Sequence, residues 1–443
     1  MISHTGWRSS CAFVTLVVCV AIFTDIFLHG LIVPVLPFAL KVRMGVPEND
    51  LQLWASAFLA IYGASISLGS LLFGWIGDHS KTRKRPFLLG LIVAGAATLL
   101  TALATSLPLY LLARVLQGIS TSSIFTIGYC LLLDTVGSKH IGSAIGFTSM
   151  GLSLGLFAGP IISGFIYDIA GYMAVFAPAF ALILIEIILC GLLKPLPPGY
   201  KYQHHPSPEQ SPLLHHPPEE QTQSSPPTFL ILLRCPSFLT AIIGMCMLNT
   251  FMTALEAVLP VYLQELFNYT SSQIAIAFLS NSLPLMLLSP LTGYCVDRIG
   301  PYWPAISGFA LTAPSMMLLG MIQENTTLYA VLLRLFLFLF GCGLSLAMPA
   351  LMTEISMATE AVEKCHPGVF GVRGAFSQAY GLSNAAFAAG TLVGPLYAGY
   401  IREWGGWVSM TVSMGVLSLV TMVLVAVFTG RRGGQSGCGR EDV

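Results

Sequence analysis

Two carboxyl side chains stand inside long apolar runs. Asp25 lies in Asp25-Ile-Phe-Leu-His29-Gly-Leu-Ile-Val-Pro34, and Glu256 in Leu255-Glu256-Ala-Val-Leu-Pro260-Val-Tyr262. A charge removed from water is costly unless paired, and in low dielectric the protonated form of an acid is favoured. Such a carboxyl holds a proton until a cation arrives and gives the proton up in exchange. His29 follows Asp25 by four residues, which puts both on one helix face. It could share or tune that proton, or be a satisfied structural histidine. Arg114, in Arg114-Val-Leu-Gln117-Gly118, is a cation within another apolar run. An intramembrane arginine faces a protein interior or a water cavity. Bonds to the first helix or to an acid could tie proton binding to helix movement; a purely structural arginine is the rival. Further acids are Asp134, read as the inner end of helix 4, Glu186, whose role stays open, and Glu354.

The elements that must position these groups follow from composition. Of 443 residues 55% are hydrophobic and 9% charged, against about 25% charged in a soluble domain. Lipid is therefore the solvent for most of the chain. A bilayer core of about 30 Å takes about 20 apolar residues as a helix. Such runs lie near 12–40, 53–77, 86–106, 108–134, 141–169 and 172–193, then near 237–265, 272–296, 302–323, 326–356, 370–400 and 406–429. The expectation is an all-α membrane protein of twelve transmembrane helices in two six-helix bundles, residues 1–195 and 236–443. The first run is too long for a signal-peptide core and lacks a cleavage motif, so it is read as the first membrane helix. Between the bundles, 196–235 is rich in Pro, His, Ser and Gln and reads as a cytoplasmic linker. Its pairs His204–His205 and His215–His216 have no fixed metal-binding geometry.

Other classes fall away. Lys+Arg and Asp+Glu balance at 20 each, which argues no nucleic-acid partner. Ten cysteines are scattered without a C-x-x-C pair, indicating neither a disulfide framework nor zinc. No G-x-S-x-G elbow, H-E-x-x-H or P-loop marks an enzyme. With the first terminus cytoplasmic, inner loops and tails hold fifteen Lys and Arg residues and outer loops only Lys41, Arg43 and Arg402. The positive-inside rule then puts both termini in the cytoplasm. The sequons at Asn268 and Asn325 fall on the outer side.

Small residues recur in register. Gly155, Gly159, Pro160 and Gly164 return as Gly390, Gly394, Pro395 and Gly399, each 235 residues later; Gly74 and Asp78 return as Gly293 and Asp297, each 219 later. Helices 5 and 11, and loops 2–3 and 8–9, are therefore counterparts in an internal repeat. In Gly146-x8-Gly155-x3-Gly159-Pro160-x2-Ser163-Gly164, small residues let two helices approach, and the proline bends the helix near the half-to-half interface. In Gly74-Trp-Ile-Gly-Asp78 followed by Arg83-Lys84-Arg85, Gly74 permits close contact. Asp78 can cap a neighbouring helix or pair with a basic residue, a charge latch that breaks when the halves rock.

These phrases resemble signatures of the major facilitator superfamily: the loop 2–3 motif around Gly74, Asp78 and Arg83, the helix 4 motif around Arg114, Gln117 and Gly118 of proton-coupled members, and the helix 5 antiporter motif, here with Ser163 for one glycine. His79-Ser80-Lys81-Thr82 departs from the loop pattern. The acids ahead of prolines in helices 1 and 7 resemble the vesicular amine transporter family, in the drug:proton antiporter branch, over nearly the whole chain. The resemblance implies that Asp25 and Glu256 meet a cationic amine or exchange protons with it. Tyr62 stands where that family has a lysine and Asn384 where it has an aspartate, while Glu354 is offset by two positions from the family's helix 10 acid. Tyr62, Tyr262 and Tyr380 are candidate cavity aromatics.

The reading is a secondary active transporter working by alternating access, a proton-coupled antiporter of an organic cation, drug or metabolite. It needs no cofactor beyond a proton gradient. Its partners are a small-molecule substrate, protons and the lipid bilayer, and it works as a monomer in the plasma membrane or a vacuolar or vesicular membrane. A facilitator or symporter of a neutral or anionic metabolite, and a non-transporting receptor on the same fold, are the alternatives.

Overall fold

The computed structural model describes residues 7–194 and 228–429, apart from 33–34, 37–38, 48–49, 368 and 371–373. The first six long helices are α1 (Cys11–Ile32), α2 (Leu51–His79), α3 (Lys84–Leu103), α4 (Leu107–Val136), α5 (Ile141–Ala174) and α6 (Ala177–Leu192). After a short helix over Thr228–Leu233 come α7 (Pro236–Phe267), α8 (Ser271–Ile299), α9 (Tyr302–Leu319) and α10 (Thr327–Cys365). The final helical stretch, Phe376–Phe428, is broken at Gly406 by φ 75° and ψ −176°, which makes two helices, α11 over 376–405 and α12 over 407–428. Gly171 turns the end of α5 toward α6 with φ 76° and ψ −177°. That left-handed φ suits only glycine comfortably. Gly171 and Gly406 are again 235 residues apart, so the corner belongs to the same repeat.

Among the described residues nine helices are long and apolar enough to span a bilayer, Phe376–Phe428 counted once. Dividing it at Gly406, and adding the 16-residue α6 and the 18-residue α9, completes the twelve. Large apolar side chains such as Leu68, Phe165, Ile169, Leu291 and Leu396 are more than 60% exposed. In lipid that exposure is solvation, and backbone polar groups are satisfied inside each helix.

Some boundaries move. The first helix ends at Ile32 rather than near residue 40, with a separate helical turn over Ala39–Arg43; Pro34 and Pro37 in the sequence between cannot donate to a helical ladder. α10 runs on to Cys365, and α11 starts at Phe376 after Gly374 takes φ 71°. The linker pairs His204–His205 and His215–His216, and Arg373 and the C-terminal basic residues, lie outside the described residues.

The small residues divide into two jobs. On α5, a Cβ at Gly155 would stand 2.6 Å from the Phe23 carbonyl oxygen, and one at Gly159 2.7 Å from that of Phe27. These glycines seat α5 on α1 within the first half, the close helix approach that their spacing implies. Gly390 and Gly394 seat α11 on α7 in the same way, against Cys246 and Thr250. The contacts between halves lie further toward the starts of α5 and α11: Gly146 against Ser289 and Pro290 of α8, and Gly381 against Ser70 and Gly74 of α2. Gly164 and Gly399 meet nothing within 4 Å, so the tight seam ends before them.

One motif therefore contains glycines of opposite tolerance. Gly159→Val must push backbone against backbone and is expected to lower stability by about 1–3 kcal/mol. Gly164→Ala fills open space and is expected to leave stability unchanged or raise it by up to about 1 kcal/mol. Thermal unfolding of the two purified variants beside the wild type checks the contrast.

Candidate functional site

Asp25 sits midway along α1, where that helix is enclosed by α4, α5 and α6. Its side chain is buried. The Thr121 hydroxyl on α4 lies 3.0 Å from Asp25 Oδ1 and 3.0 Å from the Gln117 carbonyl, and it can donate to only one at a time. The Tyr62 hydroxyl, from α2, is 3.2 Å from Thr121. Asp25 Oδ2 has no hydrogen-bond partner among the described residues. Behind Tyr62 the ring of His29 stacks on it, centroids 4.7 Å apart, and His29 Nδ1 is buried without a partner among the described residues. Gly118 makes this possible: a Cβ there would meet Ser65 at 2.6 Å and the Tyr62 carbonyl at 2.8 Å, so glycine brings α4 onto α2 beside Tyr62. His29, Tyr62, Thr121 and Asp25 thus form a row in which each neighbour touches the next. No cation lies within ion-pair distance of Asp25 among the described residues.

Arg114 is buried lower in α4's sequence and is held by its own helix. It donates to Gln117 Oε1 at 2.8 Å and to the Tyr110 hydroxyl at 3.4 Å, with the guanidinium 5.4 Å from the Tyr110 ring centroid. Its Nε is without a partner, and no acid is within ion-pair distance, among the described residues. The bond to an acid or to the first helix considered from sequence is not made in this state.

Glu256 is half-buried on α7, with neither hydrogen bond nor ion pair among the described residues. No bond joins it to Asp25; the two acids belong to different halves. Asn384 is placed elsewhere again. Its amide donates to Ser70 Oγ at 2.8 Å, joining α11 to α2 in the seam between halves. Of the candidate aromatics, Tyr380 lies against Tyr129 of α4, centroids 5.6 Å apart, in that same seam. Tyr262 stacks flat on Trp407 at 4.0 Å and donates to the Ile322 carbonyl, a structural clamp inside the second half. Glu354 accepts a bond from Ser237 at the start of α7.

A second polar centre closes one end of the molecule. Asp78, at the end of α2, accepts from the backbone amides of Ser377 at 2.9 Å and Gln378 at 3.0 Å, the first turn of α11. Arg83 lies 3.5 Å from Asp78 and donates to Asp134 at 3.1 Å, to Ser377 Oγ at 2.6 Å and to the Gly77 carbonyl. The repeat is complete on the other side. Asp297, at the end of α8, accepts from the amides of Gly142 at 2.8 Å and Ser143 at 2.9 Å, the first turn of α5, and from the Ser143 hydroxyl. A carboxylate on the free N–H groups of a helix start satisfies orphan donors and complements the helix dipole. Gly74 and Gly293 let the capping helices come near enough, Gly74 against the Ser377 carbonyl and Gly293 against Gly142. Sequence singled out Asp78 and Arg83 but missed Ser377, Thr121 and Ser70. Small hydroxyls give no signal of their own, though Ser377 lies 235 residues after Gly142 and so falls within the repeat.

The model of the family described as the Major Facilitator Superfamily matches residues 18–364. The chain belongs to that superfamily. It is 30% identical to an MFS-type transporter, ppzB, of Metarhizium rileyi, over 96% of each chain. It is 29% identical to an uncharacterised MFS-type transporter of Schizosaccharomyces pombe, over 96% of this chain and 97% of the other. The human synaptic vesicular amine transporter is 24% identical over 76% of this chain and 59% of its own. In structure, the human organic anion transporter MFSD10 matches with a TM-score of 0.70 at 16% identity, covering 94% of this chain and 99% of that one, a likeness of fold.

In this facilitator the two caps should fail locally. Asp78→Asn is expected to speed hydrogen exchange at the amides of Ser377 and Gln378, and Asp297→Asn at those of Gly142 and Ser143, each cap contributing about 1–2 kcal/mol. Arg83→Gln removes the buried counter-ion of Asp78 and Asp134 and is expected to cost more, about 3–5 kcal/mol. Exchange mass spectrometry and thermal unfolding read both.

Proposed function

We propose that this facilitator exchanges protons for an organic cation by alternating access, with Asp25 as the acid that carries the exchange. The observation that supports this most is the state of Asp25: buried in the membrane, bonded to one hydroxyl, with an open oxygen and no countercharge among the described residues. Such a carboxyl is tolerated when protonated, and becomes tolerable as an anion when a cation sits beside it. The stacked rings of His29 and Tyr62 add an aromatic surface on which a flat cation can lie. Glu256, half-buried on α7 and without a bond among the described residues, is the acid that the second half offers to the same traffic.

Residues 1–195 and 236–443 would rock against each other as two units about a site near the midplane. The Lys and Arg distribution supports both termini being cytoplasmic, and with that orientation the caps at Asp78 and Asp297 close the cytoplasmic side. The cycle runs on a proton gradient without a cofactor, in a monomer, at the plasma membrane or a vacuolar or vesicular membrane. The amine transporter relatives make an amine the first substrate class to screen.

One observation favours a second reading. Arg114 is a buried cation without an acid in reach among the described residues, which suits an anionic or neutral metabolite. Purified protein in sealed vesicles, given an imposed pH gradient and a panel of radiolabelled organic cations, separates the two. Asp25→Asn and Glu256→Gln are expected to reduce gradient-driven cation uptake at least tenfold while the protein stays folded. Wild-type rates in Asp25→Asn, or uptake of anions alone, would sink the cation exchanger.

A further inference from the structure

One buried polar group has no part in that account. Asn281, on α8, is 8% exposed, and its Oδ1 has no hydrogen-bond partner among the described residues. Its place follows from a series taken every fourth residue. On α2, Tyr62, Ile66, Ser70, Gly74 and Asp78 run from the acid row to the first cap. On α8, Asn281, Leu285, Ser289, Gly293 and Asp297 run to the second cap, each member 219 residues after its counterpart. The two series make matching contacts. Ser70 lies against Gly381 of α11, and Ser289 against Gly146 of α5, 235 residues before Gly381. Gly118 brings α4 onto the Tyr62 carbonyl; Gly341, 223 residues later, brings α10 onto the Asn281 carbonyl. Asn281 therefore holds in the second half the place that Tyr62 holds in the first, ~24 Å along its helix from the cap.

The surroundings of the two differ. Tyr62 is bonded to Thr121, and Thr121 to Asp25. At the corresponding positions, each 223 residues later, stand Leu344 and Leu248, which can donate nothing. Across the seam Tyr62 packs on Ala388 of α11. The counterpart of Ala388 on α5 is Ser153, whose hydroxyl donates to the Ser149 carbonyl of its own helix at 3.0 Å. A Cβ at Gly341 would stand 3.1 Å from Asn281 Oδ1, so the glycine leaves room beside that oxygen. A buried acceptor without a donor costs about 1–3 kcal/mol, and the bilayer core holds no water to relieve it. We infer that Asn281 is a substrate-contacting residue of the second half, its Oδ1 accepting an N–H from the organic cation that Asp25 neutralises. The first half then supplies the charge and the second half a neutral acceptor. A primary or secondary ammonium meets both; a quaternary ammonium meets Asp25 alone and leaves Oδ1 unpaired. A site built to bond an N–H rejects the analogue that lacks it, so the transported class is ammonium ions that carry N–H. The inference rests on the reading of the chain as a cation exchanger.

2-Phenylethylammonium and its N,N,N-trimethyl analogue share ring and charge and differ in N–H. Calorimetric titration of each into the full chain in phosphatidylcholine nanodiscs gives the two dissociation constants. The wild type is expected to bind the primary ion at least about tenfold more tightly. Asn281→Leu, similar in volume and without the acceptor, is expected to weaken the primary ion about tenfold and leave the trimethyl ion unchanged. Asn281→Ala repeats the measurement where the leucine variant does not fold. Equal weakening of both ions would make Asn281 a structural residue and overturn the contact. A preference that survives in the variant would leave the oxygen to water and overturn it too, as would folded wild type that binds neither ion. Wild-type uptake of the primary ion under an imposed pH gradient separates the two ideas. A preference lost in Asn281→Leu without gradient-driven uptake defeats the exchanger and leaves the contact; uptake with an unchanged preference does the reverse.

Discussion

The arrangement of the two halves depends on carboxylates that cap helices across the seam. A membrane helix starts with free N–H groups that lipid cannot satisfy, and a carboxylate at the membrane surface needs donors. Asp78 on α11 and Asp297 on α5 solve both needs at once, and each does so from the opposite half of the molecule. The approach is feasible only because glycine occupies the crossing points, Gly74 beside α11 and Gly293 beside α5. A polar cap is strong when formed and can be replaced by water in a carrier whose halves part as proposed. An apolar seam at the same place would have no such exchange and would hold the halves together permanently.

The acid site and this closure are carried by the same rods. α2 bears Tyr62 in its middle and Asp78 at its end; α4 bears Thr121 in its middle and Asp134 at its end. At 1.5 Å per residue these pairs lie ~24 Å and ~20 Å apart along their helices. Arg83 pins the two ends together through Asp78 and Asp134, and Thr121 with Tyr62 pins the two middles. A change in what Thr121 donates to, Asp25 or the Gln117 carbonyl, is therefore a change at the middle fastening of a doubly fastened pair. Packed helices transmit such displacements as bodies, because a close-packed interior has little compliance.

Much of this was legible in the chain. Twelve apolar runs, the 235-residue repeat and Asp78 beside a basic cluster are all readable because lipid imposes length and helix contact imposes small residues. Gly155 and Gly159 showed that α5 makes a close contact but not with which helix; spacing specifies a face, and the partner, α1, is a property of the bundle. Asn384 stands where the resemblance led to an expected acid, and its amide serves the α2–α11 seam through Ser70. Thr121, Ser377 and Ser70 were invisible for a plain reason: Ser and Thr are common in membrane helices, where most bond back to their own helix, as Thr98 does to the Ala94 carbonyl at 2.7 Å.

The two caps are not equivalent, and the difference follows from what each carboxylate would meet in the rocking cycle proposed above. Asp78 is 6% exposed, whereas Asp297 is half-buried. A buried carboxylate that loses two amide donors needs a cation that travels with it, and Arg83 belongs to the same half, held there also by Asp134 and the Gly77 carbonyl. The position corresponding to Arg83 in the second half, 219 residues later, is Tyr302, which cannot neutralise a carboxylate. Asp297 has no ion pair among the described residues and depends on water for that service, which its exposure allows. The repeat thus preserved the geometry of the cap and let the compensating charge diverge. Among the described residues, the cap whose acid is buried is the one that retains an internal counter-ion.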